Sequence, residues 1–266
     1  MSFRELVLAE YKLVYGELFR RKSALVAIIM YPYLFTAFTL FIGFAGGSRE
    51  IFIERTGVDP VIFMLTASYT VMSMLSSVDD VLWRPLNDMF IGTLPYVIAS
   101  PVNRLKLYFA IPLPRLTVLL IMGFTSLIPV YTFYYGLHGL AMGLLVIGII
   151  ALGCLVTIPL AIALAGLVHS IGESWRVLNI VRPLLMILLG AYYPRVYMPF
   201  AGYLLSYMIP PSHVIEALQR ILSGIYTGTY VLLVISILTS LMYLPVSGHS
   251  LRHWERKKVI EGVKTS

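Results

Sequence analysis

The sequence predicts an all-α, polytopic membrane protein with six transmembrane helices, an N-terminal interfacial helix, a cytoplasmic surface helix and an extracellular re-entrant hairpin between spans five and six. Three observations predict this class. Of the 266 residues, 59% are hydrophobic and only 12% are charged, against about 25% charged residues in an ordinary soluble domain. Apolar runs of about 20 residues recur, and each can cross a hydrocarbon core of about 30 Å. The charges cluster at the ends of these runs, so we expect one transmembrane domain over residues 1–266.

The net charge of +7 would indicate a nucleic-acid partner in a soluble protein. Here the basic residues flank apolar runs, which favours loop charges that set membrane topology, and no nucleic-acid partner is expected. The single cysteine, Cys154, lies inside an apolar run, so no intrachain disulfide is possible.

Residues 1–22 form the predicted interfacial helix. Its apolar residues recur at spacings of three and four, at Phe3, Val7, Tyr11, Val14 and Leu18. A basic cluster, Arg20 to Lys22, follows them, and such a helix fits the membrane interface better than the bilayer core. A plain cytoplasmic tail is the alternative. The uncharged stretch that comes next has 23 residues, longer than the roughly 7 to 15 of a signal-peptide core, so a retained transmembrane helix is expected.

The predicted spans cover residues 23–45, 61–78, 107–135 and 140–168, a fifth beginning near Val177, and residues 225–246. The fourth is uncharged and rich in small residues, which suit close helix packing within one subunit or between two. The fifth is unusual because Asn179 and Arg182 lie near its start and Pro194 follows early. It must therefore be short, tilted or broken.

Residues 194–224 are hydrophobic but interrupted by proline, glycine and polar groups. Backbone groups freed by proline need partners inside a bilayer, so a hairpin dipping into the outer leaflet fits better than a lipid-exposed span. The candidate residues of this hairpin are Pro194, Pro199, Pro210, His213, Glu216 and Arg220. Glu216 and Arg220 are four apart on one helix face and permit an ion pair of about 0.2–0.5 kcal/mol. We interpret that pair as stabilising the hairpin rather than binding a ligand.

Orientation follows from the distribution of basic residues. With six spans and a cytoplasmic N-terminus, sixteen Lys and Arg fall inside, whereas Arg49, Arg55, Arg195 and Arg220 fall outside. The positive-inside rule therefore predicts a multi-pass protein of the cell membrane with both termini cytoplasmic. The tail over residues 247–266 and the loop over residues 84–106 are then both cytoplasmic.

The loop over residues 84–106 contains the predicted surface helix. Asp79, Asp80 and Arg84 are taken to end the preceding apolar block. Thr93 is a candidate N-cap, Pro95 is tolerated in a first turn, and Pro101 pushes the residue before it out of helical angles. Leu94, Val97 and Ile98 recur at helical spacing.

The segment GTLPYVIASPVNR resembles the cytoplasmic loop of ABC-2 type permeases, the membrane subunits of one class of ATP-driven exporters. The matching residues are Gly92, Thr93, Leu94, Ala99, Ser100, Pro101 and Arg104. Phe90 and Pro95 stand where the family usually has acids. A second stretch, from Gly190 to Gly224, is similar to the family's extracellular pattern of G-x-x-x-P, a second proline and P-x-[TS]-x-x-x-E-x-[LF]-R. Together with six spans, the two patterns cover nearly the whole chain.

The resemblance implies a permease subunit that forms the substrate pathway of an exporter. Residues 1–22 would be the connecting helix beside an ATPase, and residues 84–106 the coupling-helix loop. The expected ATPase-coupling residues are Gly92, Thr93, Leu94, Pro95, Val97, Ile98, Ala99, Ser100, Pro101 and Arg104. The expected partners are an ABC ATPase subunit, a second permease in a homodimer or heterodimer, and membrane lipid. The chain has no G-x-x-x-x-G-K-[ST] P-loop, so ATP and Mg belong to the partner, and no cofactor or metal is expected here.

Other classes stay open as alternatives. A membrane enzyme is not favoured, because the metalloprotease motif H-E-x-x-H and the serine-hydrolase motif G-x-S-x-G are both absent. His249 and His253 are four apart, but they lack a third metal ligand. Asp79, Asp80 and Asp88 could chelate a cation, but paired acids at a helix end are commoner. A secondary transporter usually needs ionisable residues at mid-membrane, but spans one to four and six have no acidic residue at mid-depth and Arg182 lies near an inner end. A non-enzymatic assembly or sensor subunit remains the third alternative. The substrate is interpreted as lipid-like or hydrophobic, with a polysaccharide as the competitor.

Overall fold

The computed structural model describes residues 2–20, 48–171 and 174–261, with scattered residues between 23 and 41. These residues form helices joined by turns, and no strand occurs among them, which confirms the all-α prediction. The helices are α1 (Phe3–Arg20), α2 (Arg49–Thr56), α3 (Pro60–Ile91), α4 (Leu94–Ala99), α5 (Arg104–Ala110), α6 (Leu113–Tyr135), α7 (Leu137–Ser170), α8 (Ser174–Leu189), α9 (Phe200–Tyr207), α10 (Pro210–Leu222) and α11 (Thr229–Glu261). A 3-10 turn, Arg195–Tyr197, precedes α9.

Four helical stretches among the described residues are long and apolar enough to cross a membrane. They cover residues 60–91, 104–135, 137–170 and 229–260, and they correspond to predicted spans two, three, four and six. Their length and composition mark the chain as a helical membrane protein. Of the 23 residues of the predicted first span, 23–45, eleven lie outside the described residues, so the span as a whole stays a prediction. The fifth predicted span corresponds to α8, which has only 16 residues.

The second span does not end where the sequence predicts. α3 continues thirteen residues past Val78 to Ile91, with Asp79, Asp80 and Pro85 inside it. The two acids do not terminate the helix because each forms an ion pair with an arginine of a neighbouring helix. The first part of the predicted 84–106 loop is therefore a continuation of α3. The helix ends at Gly92, whose φ of 79° lies in the left-handed region that glycine adopts without strain.

The N-terminal helix starts with a reciprocal cap. The Ser2 amide donates to Glu5 Oε2 (2.9 Å), and the Glu5 amide donates to the Ser2 hydroxyl (3.3 Å). This capping box satisfies two donors that the first helical turn cannot satisfy itself. α1 then packs on α5 and α6, with Leu18 against Val118 and Met122. The predicted amphipathic helix is therefore present, and it rests on the protein.

α7 lies at the centre of the fold and packs against α3, α6, α10 and α11. Three serine hydroxyls of α11 donate to backbone carbonyls of α7: Ser240 to Val156 (2.8 Å), Ser247 to Pro159 (2.6 Å) and Ser250 to Ala163 (2.8 Å). Inside a bilayer the hydrophobic effect does not drive helices together. Interhelical hydrogen bonds and close packing at small residues drive their association instead. A Cβ at Gly166 would overlap the backbone of Ser250 and Leu251, so this glycine sets the distance between α7 and α11.

We predict that Gly166→Ala destabilises the protein, because the added methyl has no space and must separate α7 from α11. Overpacking of this kind costs about 1–3 kcal/mol. The measurement is thermal unfolding in detergent. Gly148→Ala is the matched control, since a Cβ there meets nothing within 4 Å, and it should be neutral or slightly stabilising. Equal melting temperatures for the two variants would contradict the close packing.

Candidate functional site

The predicted surface helix is present as α4 at one end of the fold, which we call the Arg104 end. Two residues, Gly92 and Thr93, separate it from α3. Its position is fixed from the first turn because the Thr93 amide donates to the Asp88 carbonyl (2.8 Å). Pro95 lies in the first turn, as predicted. Ser100 has an extended ψ of 143° before Pro101, also as predicted.

Thr93 stands at the N-cap position, but its side chain makes no cap hydrogen bond, so the prediction that it caps α4 is wrong. The Thr93 hydroxyl donates instead to Asp88 Oδ1 at 3.0 Å. Thr93 has helical backbone angles (φ −87°, ψ −16°) rather than the extended angles that a capping side chain needs. The side chain thereby connects α4 to the last turn of α3.

The predicted apolar face of α4 points into the protein. Leu94 is 2% exposed and belongs to the core, whereas Val97 and Ile98 are half-buried. These residues anchor α4, and Leu94 is therefore not accessible to a docking partner.

The outward surface is formed by other residues. Phe90, Ile91 and Tyr96 are 74%, 75% and 78% exposed, and Pro95 is exposed beside them. We call these four residues the outer patch. Sequence reasoning included only Pro95 in the candidate site. Tyr96 could have been found from helical geometry, because a residue two positions after a buried one lies on the opposite side of a helix.

Arg104 closes the C-terminal side of α4. Its guanidinium donates to the carbonyl oxygens of Ile98 (2.8 Å), Ser100 (3.1 Å) and Val102 (3.0 Å). Its Nε also donates to Glu255 of α11 at 2.8 Å. Carbonyls at the end of a helix have no intrahelical partner, and a positive charge there also interacts favourably with the helix dipole. Arg104 therefore caps α4 and ties it to α11.

A second arginine joins α1 to α3. Arg84 donates to Glu10 of α1 (2.9 Å) and to Asp88 (3.0 Å), and the Glu10 side chain is 7% exposed. Asp88 also accepts the Thr93 hydroxyl, so one carboxylate contacts both Arg84 and the start of α4. Burying opposite charges this far from solvent is costly unless they are paired and hydrogen-bonded, as these three side chains are.

The other two acids of α3 also face arginines. Asp79 pairs with Arg182 of α8 (3.3 Å), and Asp80 pairs with Arg115 of α6 (3.0 Å). Among the described residues, no group of His, Cys, Asp or Glu could hold a metal ion. Because α3 continues through both acids and each pairs with an arginine of another helix, they join helices rather than cap a helix end as weighed from sequence.

The predicted hairpin residues lie at the opposite end of α3, which we call the Arg195 end. The Glu216–Arg220 ion pair forms at 2.6 Å. Glu216 also contacts Arg195 (3.3 Å), a residue that sequence reasoning did not include in the site. The sequence signal that could have identified Arg195 is its position between Pro194 and Pro199 in an otherwise apolar stretch.

Arg195 is buried at 5% exposure and is surrounded by polar partners. It donates to Ser212 Oγ (2.9 Å), lies 3.3 Å from His213 Nδ1, and stacks over the Tyr207 ring at 4.6 Å. Burial lowers the pKa of His213 below its ordinary value, and the Arg195 charge lowers it further. A neutral His213 can face the guanidinium without repulsion. These contacts favour the structural role predicted for the hairpin.

A cleft of about 660 Å³ opens between α3 and α8. Arg115, Arg182 and Asp79 lie at one end, and Ser68 and Tyr192 lie toward the other. Ser68 and Asp79 are eleven residues apart on α3, which corresponds to about 16 Å along a helix. No residue of this cleft belongs to the predicted site.

The structure thus places the predicted residues in two groups at the two ends of α3. Comparisons of the chain with protein-family models, with curated proteins and with solved structures found no match. The Arg104 end combines an exposed apolar surface with a scaffold of ion pairs.

We predict that Arg104→Gln loosens α4, because the carbonyls at its end lose their charged donor. Charge-assisted hydrogen bonds contribute about 1.5–3 kcal/mol each, so backbone exchange at residues 97–100 should rise about tenfold or more. The measurement is hydrogen exchange followed by mass spectrometry. Lys106→Gln removes an exposed charge from the same segment and should leave exchange unchanged. An equal rise in both variants would show that Arg104 has no special role.

Proposed function

We propose that this protein is the transmembrane permease subunit of an ABC exporter, moved by a separate ATPase subunit that docks on the Arg104 end. The strongest support is the outer patch, which is formed by residues of α4 and of the last turn of α3. Three large apolar side chains there are about three-quarters exposed, although the helix beneath them is tied down by Arg104 and Asp88. An exposed apolar cluster of this kind is typical of a protein-binding or membrane-contacting surface, and the proposed docking uses it as the former.

The rigidity of α4 is the second support. A partner can shift a conformational equilibrium only if it contacts the two states differently. A loosely attached helix would absorb the displacement, whereas α4 passes it to α3 through Asp88 and to α11 through the Arg104–Glu255 pair. The Arg84–Glu10 pair extends the connection to α1, which is the proposed connecting helix.

The proposed architecture has six spans. The first would cover residues 23–45, and the fifth would be the short α8, in addition to the four long apolar helices. Residues 194–224 would form a re-entrant extracellular hairpin, with the Arg104 end and both termini in the cytoplasm. The distribution of basic residues supports this orientation. Two permease chains and two ATPase chains would form the complex, and ATP and Mg would bind the ATPase.

We predict that residues 96 and 197 lie on opposite sides of the membrane. In intact cells, a membrane-impermeant maleimide should label Tyr197→Cys but not Tyr96→Cys, and inverted vesicles should reverse the pattern. Both tyrosines are well exposed, at 69% and 78%. The native Cys154 is buried, so the unsubstituted protein provides a low background. Labelling of Tyr96→Cys in intact cells would overturn the proposed orientation.

We predict that Tyr96→Asp strongly reduces ATP turnover by the complex of permease and ATPase. A central aromatic contact typically contributes 2 kcal/mol or more to an interface, so a fall of about tenfold or more is expected. The measurement is the turnover of a co-purified P-loop ATPase, with and without the permease. An assembly or sensor subunit would show no stimulation, and a secondary transporter would transport without the ATPase.

Tyr197→Asp is the matched control, because it places the same charge on an exposed tyrosine at the other end of the protein. It should leave stimulation unchanged. Stimulation by Tyr96→Asp at the wild-type level would eliminate the outer patch as the docking surface. Leu94→Asp is the poorer test, since it would bury an unpaired charge and disturb the fold itself.

A further inference from the structure

The cleft between α3 and α8 has the dimensions of a ligand site. Its volume of about 660 Å³ lies within the range of about 300–1,000 Å³ that is typical of small-molecule pockets. Described residues of the predicted first span, Ala27 and Tyr31, contribute to its lining. With Arg115 of α6, the cleft therefore involves four of the proposed spans.

One end of the cleft carries two arginines. Arg115 and Arg182 line it together with Asp79, whereas Asp80, the partner of Arg115, is not part of the lining. The side chains of Arg115 and Arg182 are 44% and 56% exposed, although each already pairs with a carboxylate of α3. A guanidinium has five N–H donors, so a single carboxylate does not use them all. The two arginines therefore have N–H groups that can donate hydrogen bonds to a further anionic group.

The wall next to this end is apolar. Val71, Met72 and Leu75 of α3 face the cleft, and Pro183 and Met186 of α8 lie opposite them. Methionine side chains adapt to ligands of varied shape. This wall matches an acyl chain better than a sugar, whose hydroxyl groups would find few polar partners there.

We propose that the cleft binds an amphiphile with an anionic headgroup, the headgroup on Arg115 and Arg182 and the acyl chain along the Val71–Leu75 wall. The site is a substrate site only if the proposed exporter function is correct. Binding itself does not depend on that function.

The test is a calorimetric titration of the purified full chain in excess neutral maltoside detergent. The probes are 1-oleoyl lysophosphatidic acid, lysophosphatidylcholine with the same chain, and inorganic phosphate. Wild type should bind the lysophosphatidic acid about tenfold more tightly than the choline lipid, because the latter carries a compensating positive charge. Inorganic phosphate at the same concentration as the lipid should not compete, since it lacks a chain for the apolar wall and binds the two arginines only weakly.

Two substitutions should act in opposite directions. Arg182→Gln should weaken binding of the lysophosphatidic acid about tenfold and reduce the discrimination between the two lipids, since only Arg115 remains. Asp79→Asn leaves both arginines and removes the competing carboxylate, so it should strengthen binding about threefold. Arg220→Gln removes a comparably exposed arginine, at 42%, from the other end and should have no effect.

Opposite effects separate recognition from damage to the fold, because a destabilised protein loses affinity in both variants. If Arg182→Gln does not fold, the tighter binding expected of Asp79→Asn still tests the proposal. Equal affinity for both lipids, competition by inorganic phosphate, or weaker binding in Asp79→Asn would each overturn it. The titration uses the permease alone, so its failure is distinguishable from a loss of ATPase stimulation.

Discussion

The buried ion pair between Arg84 and Glu10 is the interaction on which the Arg104 end depends. It joins α1 to α3 at 2.9 Å, and Asp88 binds the same guanidinium from the next turn of α3. Removing one partner of such a pair leaves an uncompensated charge in a poorly solvated place and typically costs about 3–5 kcal/mol. The surrounding helices therefore have one arrangement in which all three charges are satisfied, and that arrangement positions the last turn of α3.

The position of α4 follows from that turn. Asp88 contacts Arg84 with one oxygen and Thr93 with the other, so the start of the surface helix is fixed by the same carboxylate. Arg104 fixes the other side through the carbonyls of α4 and through Glu255. A six-residue helix has little stability of its own. Its stability here comes from contacts at both sides and from Leu94 beneath it.

Local features of this fold could be predicted from sequence, whereas contacts between distant segments could not. Apolar run lengths located four spans, and the restriction imposed by Pro101 located the end of α4. The Arg104–Glu255 pair joins residues 151 positions apart, and no periodicity reports such a contact. The same limit explains the error at Asp79, because the ion pair with Arg182 that accommodates its charge inside α3 joins residues far apart in the sequence. Thr93 was misassigned because its better partner, Asp88, lies on the preceding helix.

α3 connects the two proposed activities, since Asp79 faces the cleft and Asp88 holds the surface helix nine residues further along. That separation is about 14 Å on one continuous helix. In the proposed transporter, a displacement of α4 would move α3 along with it, whereas Arg182 belongs to α8 and is joined to α3 there by a single ion pair of 3.3 Å. Arg115 of α6 is likewise paired with Asp80 of α3, so the Asp79–Arg182 and Asp80–Arg115 distances are the two contacts at the cleft that such a displacement would alter. Lengthening them would free guanidinium donors for an anionic ligand and shortening them would occupy those donors, so a push on α4 would change the affinity of the cleft through these two pairs.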